Sequence, residues 1–424
     1  MTQVLSLFKN PLERRVLGGA PYEENEEYRN CLQKATWLKI SEDSGDNRCF
    51  AFSKEGELQE LIQQGMLSLD SGWNCTFVNG VFEPRLSSVP EGCFLLSVKD
   101  ARRFYQSFFQ LHKEGLENKK SPLHGLNASF LDEAAFLYVP EDFKIQDPIS
   151  IRNIVTKSFA CTDRSAILPA VTVAVASRAF VEVNVLPCEF FSGEGIPSSA
   201  STEGIFSGVL NIVAEDYATI RLNFGAEALL ESPSIASGRS FWEEESQAWS
   251  VSALMQERSS ILTRIYSRKK FFSSGIVDCR YQLLSPYAYS EVLGSIKDPE
   301  GLLLKVAMIH KAEKTGSRQT IKSLLNEDAN FSFEGDIIIE PDCGDSEAYQ
   351  KHDSLLMGES ASVLTIPRLQ IFTDNVKASH GATVGRPDDG IIFFMRSRGI
   401  SEERAKEIFL KGFLYPEPEG FIFD

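Results

Sequence analysis

The residue best suited to chemistry in this chain is His380. Its neighbours Ala378, Ser379, Gly381 and Ala382 are all small, so a binding partner can reach the imidazole ring. Imidazole is a good ligand for iron and one of the few side chains that changes charge near neutral pH. The spacing alone nevertheless favours a histidine that satisfies backbone carbonyls in a tight turn. A metal or cluster ligand at an interface is the other interpretation.

The cysteines do not form a recognisable metal site. The chain has eight, and the closest two, such as Cys31 and Cys49, stand 18 residues apart. No C-x-x-C occurs, and no histidine lies near another histidine or a cysteine in the sequence. A local zinc site or a ferredoxin-type cluster needs several ligands on one loop. We therefore expect reduced cysteines that are mostly buried as small hydrophobic residues.

Catalytic motifs are absent as well. The dipeptide Gly-Lys does not occur, which excludes a phosphate-binding P-loop. G-x-G-x-x-G, G-x-S-x-G and H-E-x-x-H are also missing. The sequence therefore gives no support for an NTPase, a dinucleotide-binding fold, a serine hydrolase or a zinc protease.

Charge and hydropathy argue against nucleic acids and membranes as binding partners. The 424 residues carry a formal net charge of −16, whereas nucleic acids and anionic membranes attract basic surfaces. The most apolar stretch, residues 167–186, is interrupted by Arg178 and Glu182. The first residues lack a basic start followed by a long apolar run. We expect a cytoplasmic protein that binds neither nucleic acid nor membrane.

Most of the chain has the alternation of β-strands. Val171, Val173 and Val175 alternate with small or polar residues, and 337–339 form an apolar run after Gly335. Amphipathic helices are scarce between these segments, which favours a sandwich, a barrel or a β-solenoid over a doubly wound sheet. The alternation alone does not separate these three.

Helices are predicted at both ends. One runs between Asp100 and Gly115. Near the C-terminus a short helix runs from about Asp388 to Arg398, and Gly399 ends it. Ser401 then caps a second helix, whose apolar stripe is Ala405, Ile408, Phe409 and Phe413. Helices at the ends of a solenoid would cover its unpaired strand edges.

Several motifs resemble one protein family. The C-terminal tracts are D-N-V-K-A-S-H-G-A-T-V-G (374–385) and M-R-S-R-G-I (395–400). Further matches are L-N-A-S-F-L-D-E-A-A-F-L-Y-V-P (126–140), K-T-G-S-R-Q-T-I-K (314–322), F-E-G-D-I-I-I-E-P (333–341) and D-S-E-A-Y-Q (345–350). Together they resemble the SufD family, scaffold subunits of the SUF iron–sulfur cluster assembly machine. The family usually has Cys where this chain has Ala378, so this loop cannot supply two ligands.

The resemblance implies a mainly β fold, with a right-handed parallel β-helix core flanked by N- and C-terminal helical domains. The expected divisions are an N-terminal helical or mixed domain at 1–134, the β-helix core at 135–376 and a C-terminal helical, ATPase-docking domain at 377–424. Within the family, Ser317, Arg318, Tyr349 and Gln350 are interpreted as stacking and interface residues of the β-helix.

The resemblance also implies a function. The chain would be a non-enzymatic scaffold that pairs with a SufB-like subunit and docks a SufC-like ABC-type ATPase, or forms a homodimer when alone. No tightly bound cofactor is expected; a transient iron–sulfur cluster would form at the partner interface beside His380, and the complex could hold a flavin. The candidate partner-contacting residues are Lys377, Ser379, Gly381, Thr383, Ile391, Phe394, Met395, Arg396, Arg398 and Gly399.

Three alternatives stay open. Arg396 and Arg398 could simply be the solvated face of a short helix, and Ile391, Phe394 and Met395 could pack on the core. A β-helix enzyme that acts on acidic polysaccharides would place carboxylates or basic residues in a groove. A homodimeric scaffold without a SufB-like partner is a further alternative.

Overall fold

The computed structural model describes residues 72–98, 100, 134–156, 164–167, 169–191, 203–225, 247–267, 272, 274–387 and 389–414. The helix predicted between Asp100 and Gly115 and most of the predicted domain 1–134 lie outside the described residues. Residues 73–97 form three short strands and a one-turn 3-10 helix at Pro84–Leu86. No helix among the described residues has the length and apolar character needed to cross a bilayer.

The described part of the chain is mainly β, as predicted. The strands of its first half are β1 (Trp73–Val78), β2 (Val81–Phe82), β3 (Phe94–Ser97), β4 (Ala135–Val139), β5 (Ile149–Thr156), β6 (Arg164–Ile167), β7 (Ala170–Val175), β8 (Phe180–Phe191), β9 (Glu203–Ala214) and β10 (Thr219–Phe224).

Those of its second half are β11 (Gln247–Met255), β12 (Ser260–Ser267), β13 (Gly275–Leu283), β14 (Tyr289–Lys297), β15 (Glu300–His310), β16 (Gly316–Leu325), β17 (Asn330–Ile339), β18 (Glu347–Leu356), β19 (Ser362–Ile371) and β20 (Lys377–Gly385).

The chain divides into two compact units. The first comprises Met1–Val181, Leu186–Val213 and Pro233–Ala253. In it β1 lies parallel to β5 and antiparallel to β2, while β4 lies parallel to β7 and antiparallel to β3. Phe136, Ala174 and Val209 belong to its core, and the Phe206 and Trp249 rings lie 5.4 Å apart. The apolar, β-branched composition of these strands accounts for their burial.

The second unit comprises Glu182–Val185, Ala214–Ser232 and Leu254–Asp424. One of its sheets runs β10-β12-β14-β16-β18-β20 and the other β13-β15-β17-β19, with all neighbours parallel. From β12 onward each strand therefore pairs with the next but one, so the chain alternates between the two sheets. This is the topology of a parallel β-helix, and the fold prediction is confirmed. Its right-handed sense follows from the general rule for parallel crossovers.

The corner turns of the β-helix are also in register. Non-glycine residues with left-handed φ recur once per coil at one corner, namely Tyr217, Arg258, Tyr287, Lys314, Asp345 and Asn375. The Arg258 guanidinium lies 5.6 Å from the Tyr217 ring centroid and 4.6 Å from that of Tyr287. Cation–π contacts of this kind stabilise a left-handed backbone that is otherwise strained.

The interior of the β-helix holds two histidines in polar networks. The His310 Nδ1 lies 2.7 Å from Thr315 Oγ1, and its Nε2 lies 2.8 Å from Ser317 Oγ. The His352 Nδ1 lies 2.7 Å from Thr365 Oγ1. Burial lowers the pKa of each imidazole to about 4, so both rings are neutral at pH 7.

Two helices follow the last strand, α1 (Asp389–Arg396) and α2 (Glu402–Leu414). The predicted end of the first helix is confirmed, since Gly399 has a φ of 83°. The Ser401 cap is confirmed as well, because its Oγ accepts a hydrogen bond from the Arg404 N–H at 3.3 Å. The division predicted at residue 377 coincides with the start of β20, so the helical part begins only at Asp389.

The helices pack against the side of the β-helix. Ser295 of β14 donates a hydrogen bond to the carbonyl of Leu414 at 2.6 Å. The Lys322 ammonium of β16 lies 5.3 Å from the Phe413 ring centroid. The sequence predicts that the C-terminal helices cover the edges of the last strands. Instead, α2 contacts β14 and β16, which lie further back in the sheet.

Candidate functional site

The last strands of the two sheets form an open end of the β-helix. Among the described strands, β20 pairs with β18 alone and β19 pairs with β17 alone. The other edge of each strand therefore presents backbone N–H and C=O groups that no described strand takes up. We call the exposed surface of β19 and β20 the terminal face. Its exposed apolar residues are Leu364, Ile371, Phe372 and Val384.

Strand register assigns His380 to the inner side of β20. Gln350 and His352 of β18 face the interior, and they pair with His380 and Ala382. Ala378 packs against the buried cluster that contains Ile337 and Ala348, which confirms that its side chain points inward. Because side chains two apart share a face, His380 is on the inner side too. It is exposed because no described strand continues the β-helix over it.

The tight-turn interpretation of His380 does not fit this geometry. The residue lies in the middle of a strand, and its side chain forms no hydrogen bond among the described residues. Its two ring nitrogens are therefore accessible to a ligand or a partner. The interpretation of His380 as a donor at an interface stays a prediction.

Among the described cysteines, Cys343 belongs to the buried cluster against which Ala378 packs. Burial raises the pKa of this thiol, as do the nearby carboxylates of Glu340 and Asp342. A protonated buried thiol is a poor metal ligand. Cys343 is therefore not a ready replacement for the Cys that the family has in place of Ala378.

This chain supplies few ligands at the terminal face. Within the described ranges, no group of three or more His, Cys, Asp or Glu side chains could enclose a metal ion. His380 is thus a single donor, whereas protein-bound iron–sulfur clusters take about four protein ligands. Among the described residues, one donor is therefore too few to hold a cluster at this face.

The other candidate residues of β20 lie on its outer side. Lys377, Ser379, Gly381 and Thr383 alternate with the inward-facing positions, and all four are exposed. Lys377 Nζ lies 2.7 Å from Glu347 Oε1, and this hydrogen bond raises the pKa of the lysine. The strand thus separates the predicted set, with His380 on one side and these four residues on the other.

The candidate residues of α1 differ in their exposure to solvent. Phe394 is 55% exposed and Ile391 is also exposed, whereas Met395 is half-buried. Phe393, which the sequence did not single out, is 72% exposed. Ile392 is the buried member of the helix. The apolar surface of α1 is therefore centred on Phe393 and Phe394.

The arginines that follow this surface are partly engaged within the chain. Arg396 Nη1 lies 3.1 Å from Glu402 Oε2, and the Arg398 guanidinium lies 3.4 Å from the Phe394 ring centroid. Both arginines remain exposed. Gly399 provides the left-handed turn that joins the two helices, so its role among the described residues is conformational.

The tracts between 314 and 350 contribute packing, as the sequence interpretation held. Ser317 hydrogen-bonds to the buried His310, and the Arg318 guanidinium lies 5.2 Å from the Tyr349 ring centroid. Gln350 is buried beneath His380. Its role as a neighbour of His380 was not evident from the sequence, because it depends on the register of β18 and β20.

A carboxylate pair typical of a polysaccharide-acting enzyme is not free on this surface. Glu334 and Asp336 lie on one side of β17, where Arg368 binds them at 2.6 and 2.9 Å. Lys305 Nζ adds a contact of 3.2 Å to Glu334. Burial raises the pKa of Asp336, whereas that of Glu334 is lowered because hydrogen bonds and charges from Arg368 and Lys305 outweigh its burial. Ion pairs across β15, β17 and β19 thus engage both carboxylates.

Comparison with known proteins identifies the part of the chain that holds this site. Residues 279–413 match the family described as SUF system FeS cluster assembly, SufBD core domain. The iron–sulfur cluster assembly protein SufD of Escherichia coli strain K12 is 38% identical over 104 residues, which cover 24% of this chain and 25% of that protein.

Longer and more distant matches include a SufBD family protein of Staphylococcus saprophyticus, which is 23% identical over 76% of this chain and 63% of its own length. The iron–sulfur cluster assembly protein SufB of Bacillus subtilis is 31% identical over 109 residues, or 26% of this chain and 23% of that protein. The alignments thus span less than two thirds of the length of these relatives. The resemblance noted in the sequence is confirmed, and the residues that the family model matches include β20 and α1.

Proposed function

Because this chain carries the SufBD core domain of the SUF iron–sulfur cluster assembly system, we propose that it is a non-catalytic scaffold subunit of a SUF-type complex. It would pair with a SufB-like subunit, dock a SufC-like ATPase and contribute His380 where iron and sulfide assemble. The observation that carries this proposal is the exposed His380 on the inner side of β20, at the end of a β-helix with an unpaired edge.

The terminal face has the properties of a protein interface. It combines an open strand edge with the exposed apolar side chains of Leu364, Phe372 and Val384. Open edges invite pairing with another chain, and contiguous apolar surface is costly to leave in water. A SufB-like subunit that covers this face would satisfy both and would lie next to His380. A second copy of this chain would occupy the same face when the partner is absent.

Iron and sulfide are cargo in this proposal, not a resident cofactor. His380 offers one borderline nitrogen donor, a type that suits iron. Since this chain brings a single donor to the described face, the partner would supply the thiolates. A cluster bound across two chains is released when they separate, which suits a scaffold that must pass its product on. A flavin in the complex remains part of the proposal without support from a residue of this chain.

The second interface would be the apolar surface of α1. Phe393 and Phe394 are exposed on a helix whose buried residue is Ile392 and which packs against α2. Closure of two ATPase subunits on ATP binding would pull on the two scaffold helices and strain the pairing at the terminal face. Force applied at α1 reaches β14 and β16 through α2, because α2 bonds to both strands.

Co-expression with tagged SufB-like and SufC-like partners tests both interfaces separately. Val384→Glu places a charge on the terminal face, and Phe393→Ser removes the exposed ring of α1. We expect the first variant to lose the SufB-like partner while it keeps the ATPase, and the second to show the reverse. The proposal fails if the unaltered chain retains neither partner, or if each variant loses both while remaining folded.

A further inference from the structure

The side chain of Gln350 presents a buried polar group without a partner. The residue is 3% exposed, and neither Nε2 nor Oε1 forms a hydrogen bond among the described residues. Leaving such a group unpaired is costly because its desolvation is not compensated, so each one calls for an explanation.

The space that this amide occupies is left by a glycine in the opposite sheet. A Cβ atom on Gly335 of β17 would lie 2.2 Å from Gln350 Nε2, so only glycine leaves space for the amide there. One coil earlier, Gln319 occupies the equivalent inward position, and its Nε2 donates to the Asp336 carbonyl at 3.1 Å. Gln350 differs because it lies in the last coil before the open end.

The residue next to Gln350 on its open side is His380. The two are paired in the register of β18 and β20, and both face inward. Paired residues of adjacent parallel strands have Cα atoms about 4.8 Å apart. Across the interior, Gly335 pairs with Pro367 of β19, which has no backbone N–H to offer. The register therefore brings two side-chain groups to the unpaired amide: the imidazole of His380 on its open side, and the Oε1 of Gln319 on the other side, which also has no partner among the described residues.

We propose that Gln350 is the positioning residue for His380: the two side chains form no hydrogen bond in this structure, but when His380 binds the metal cargo through one imidazole nitrogen, the carboxamide hydrogen-bonds the other. The amide fixes which nitrogen is protonated and limits rotation of the ring. Residues in this second layer typically change metal affinity by about 10–100-fold. This proposal rests on the proposed function only for the identity of the metal cargo. The strand register that places Gln350 beside His380 belongs to this chain and does not depend on that function.

Zn²⁺ serves as the probe, added to the full-length chain labelled with ¹⁵N at its histidines. The chain has five histidines, and His380→Ala assigns the signals of the residue in question. Long-range ¹H–¹⁵N spectra report which ring nitrogen binds Zn²⁺, and the titration gives the affinity. We expect His380 to bind through a single nitrogen in the unaltered chain.

The decisive variant is Gln350→Met, which removes the amide at similar length. We expect about tenfold weaker binding at His380 and coordination through either nitrogen. Gln319→Met is the matched control, since it alters the same interior column one coil away from His380, and it should bind like the unaltered chain.

The proposal is overturned if Gln350→Met binds like the unaltered chain, or if the control loses affinity equally. It is also overturned if His380 of the unaltered chain binds Zn²⁺ through either nitrogen, or does not bind Zn²⁺ at all. These two outcomes are measured without any variant, so they do not depend on whether a variant folds. Failure of the SUF assignment is a separate outcome, because partner retention is measured without Zn²⁺ and does not depend on Gln350.

Discussion

Ala378 and His380 share the inner side of β20, where they pair with Ala348 and Gln350 of β18. The residue that replaces the family cysteine therefore points in the same direction as the candidate ligand. A thiolate at this position would lie beside the imidazole, on the same side of the strand. Among the residues on the inner side of this strand, His380 is the single candidate donor.

Restoring the thiol should create a two-ligand site. Ala378→Cys introduces a small, largely apolar side chain into a cluster that accepts it. Thiolate and imidazole two residues apart on one strand face can bind one ion, so we expect Co²⁺ to bind at least tenfold more tightly and to show a sulfur-to-cobalt charge-transfer absorption. Anaerobic titration of the full-length chain measures both.

Ser379→Cys is the control for this experiment, because it places the same thiol on the outer side of β20. It should leave the Co²⁺ affinity unchanged. Equal gains from both cysteines would show that the shared side of the strand has no role in binding.

The space beside Gln350 can be filled by mutation of Gly335. Gly335→Ala would place a Cβ 2.2 Å from Gln350 Nε2 and 2.8 Å from Phe333 Cζ. Since both neighbours are buried, we expect the free energy of unfolding to fall by about 1–3 kcal/mol. Urea titration measures the change. Gly381→Ala on β20 has nothing within 4 Å and should change stability by less than about 0.5 kcal/mol; similar losses in both variants would refute the packing argument.

The buried histidines predict a dependence of stability on pH. Burial lowers the pKa of His310 and His352 to about 4 in the folded chain, against about 6.5 when unfolded. Below pH 6.5 the unfolded chain binds protons that the folded chain does not, so stability is complete above pH 6.5 and is lost as the pH falls towards 4. Each residue accounts for up to about 3 kcal/mol over this range.

The variant that checks this sign is His352→Gln, which cannot take up the proton. Its unfolding free energy should fall less steeply between pH 6.5 and 4 than that of the unaltered chain, as measured by urea titration at each pH. An unchanged slope in His352→Gln would contradict the assignment of a neutral buried imidazole.

The apolar surface of α1 predicts an ATPase contact centred on Phe393. Because this ring is 72% exposed, Phe393→Ser should leave the unfolding midpoint unchanged. It should weaken binding of the SufC-like partner by at least tenfold, as expected for an aromatic residue at the centre of an interface. Isothermal titration calorimetry measures the affinity. Lys411→Ser, on the exposed side of α2, is the control and should bind normally; equal affinities for all three proteins would exclude α1 as the contact.

The sequence supports a good part of this structure. Alternation around Val173 and the apolar run at 337–339 correctly predict strands, and Gly399 and Ser401 correctly mark the ends of two helices. These features are local, since side-chain period and capping depend on residues within a few positions. His380 could be selected for the same reason, because its small neighbours are visible in the sequence.

What could not be predicted depends on contacts between distant residues. The pairing of Gln350 with His380 requires the register of two strands separated by a third, and the need for Gly335 arises from the opposite sheet. The exposure of Phe393 relative to Ile392 depends on which side of α1 faces the β-helix. The pattern of α1 is apolar on nearly every side, so periodicity alone does not fix that choice.

The central claim is that His380 handles iron at the interface with a partner. Its most direct test is anaerobic co-purification of the chain with SufB-like and SufC-like partners, followed by assay of bound iron and acid-labile sulfide. His380→Ala is compared with Ser379→Ala, which alters the outer side of the same strand. We predict that His380→Ala loses most of the cluster while the complex still assembles, and that Ser379→Ala keeps it. Unchanged iron and sulfide in an intact His380→Ala complex would contradict the claim and leave this chain an architectural role only.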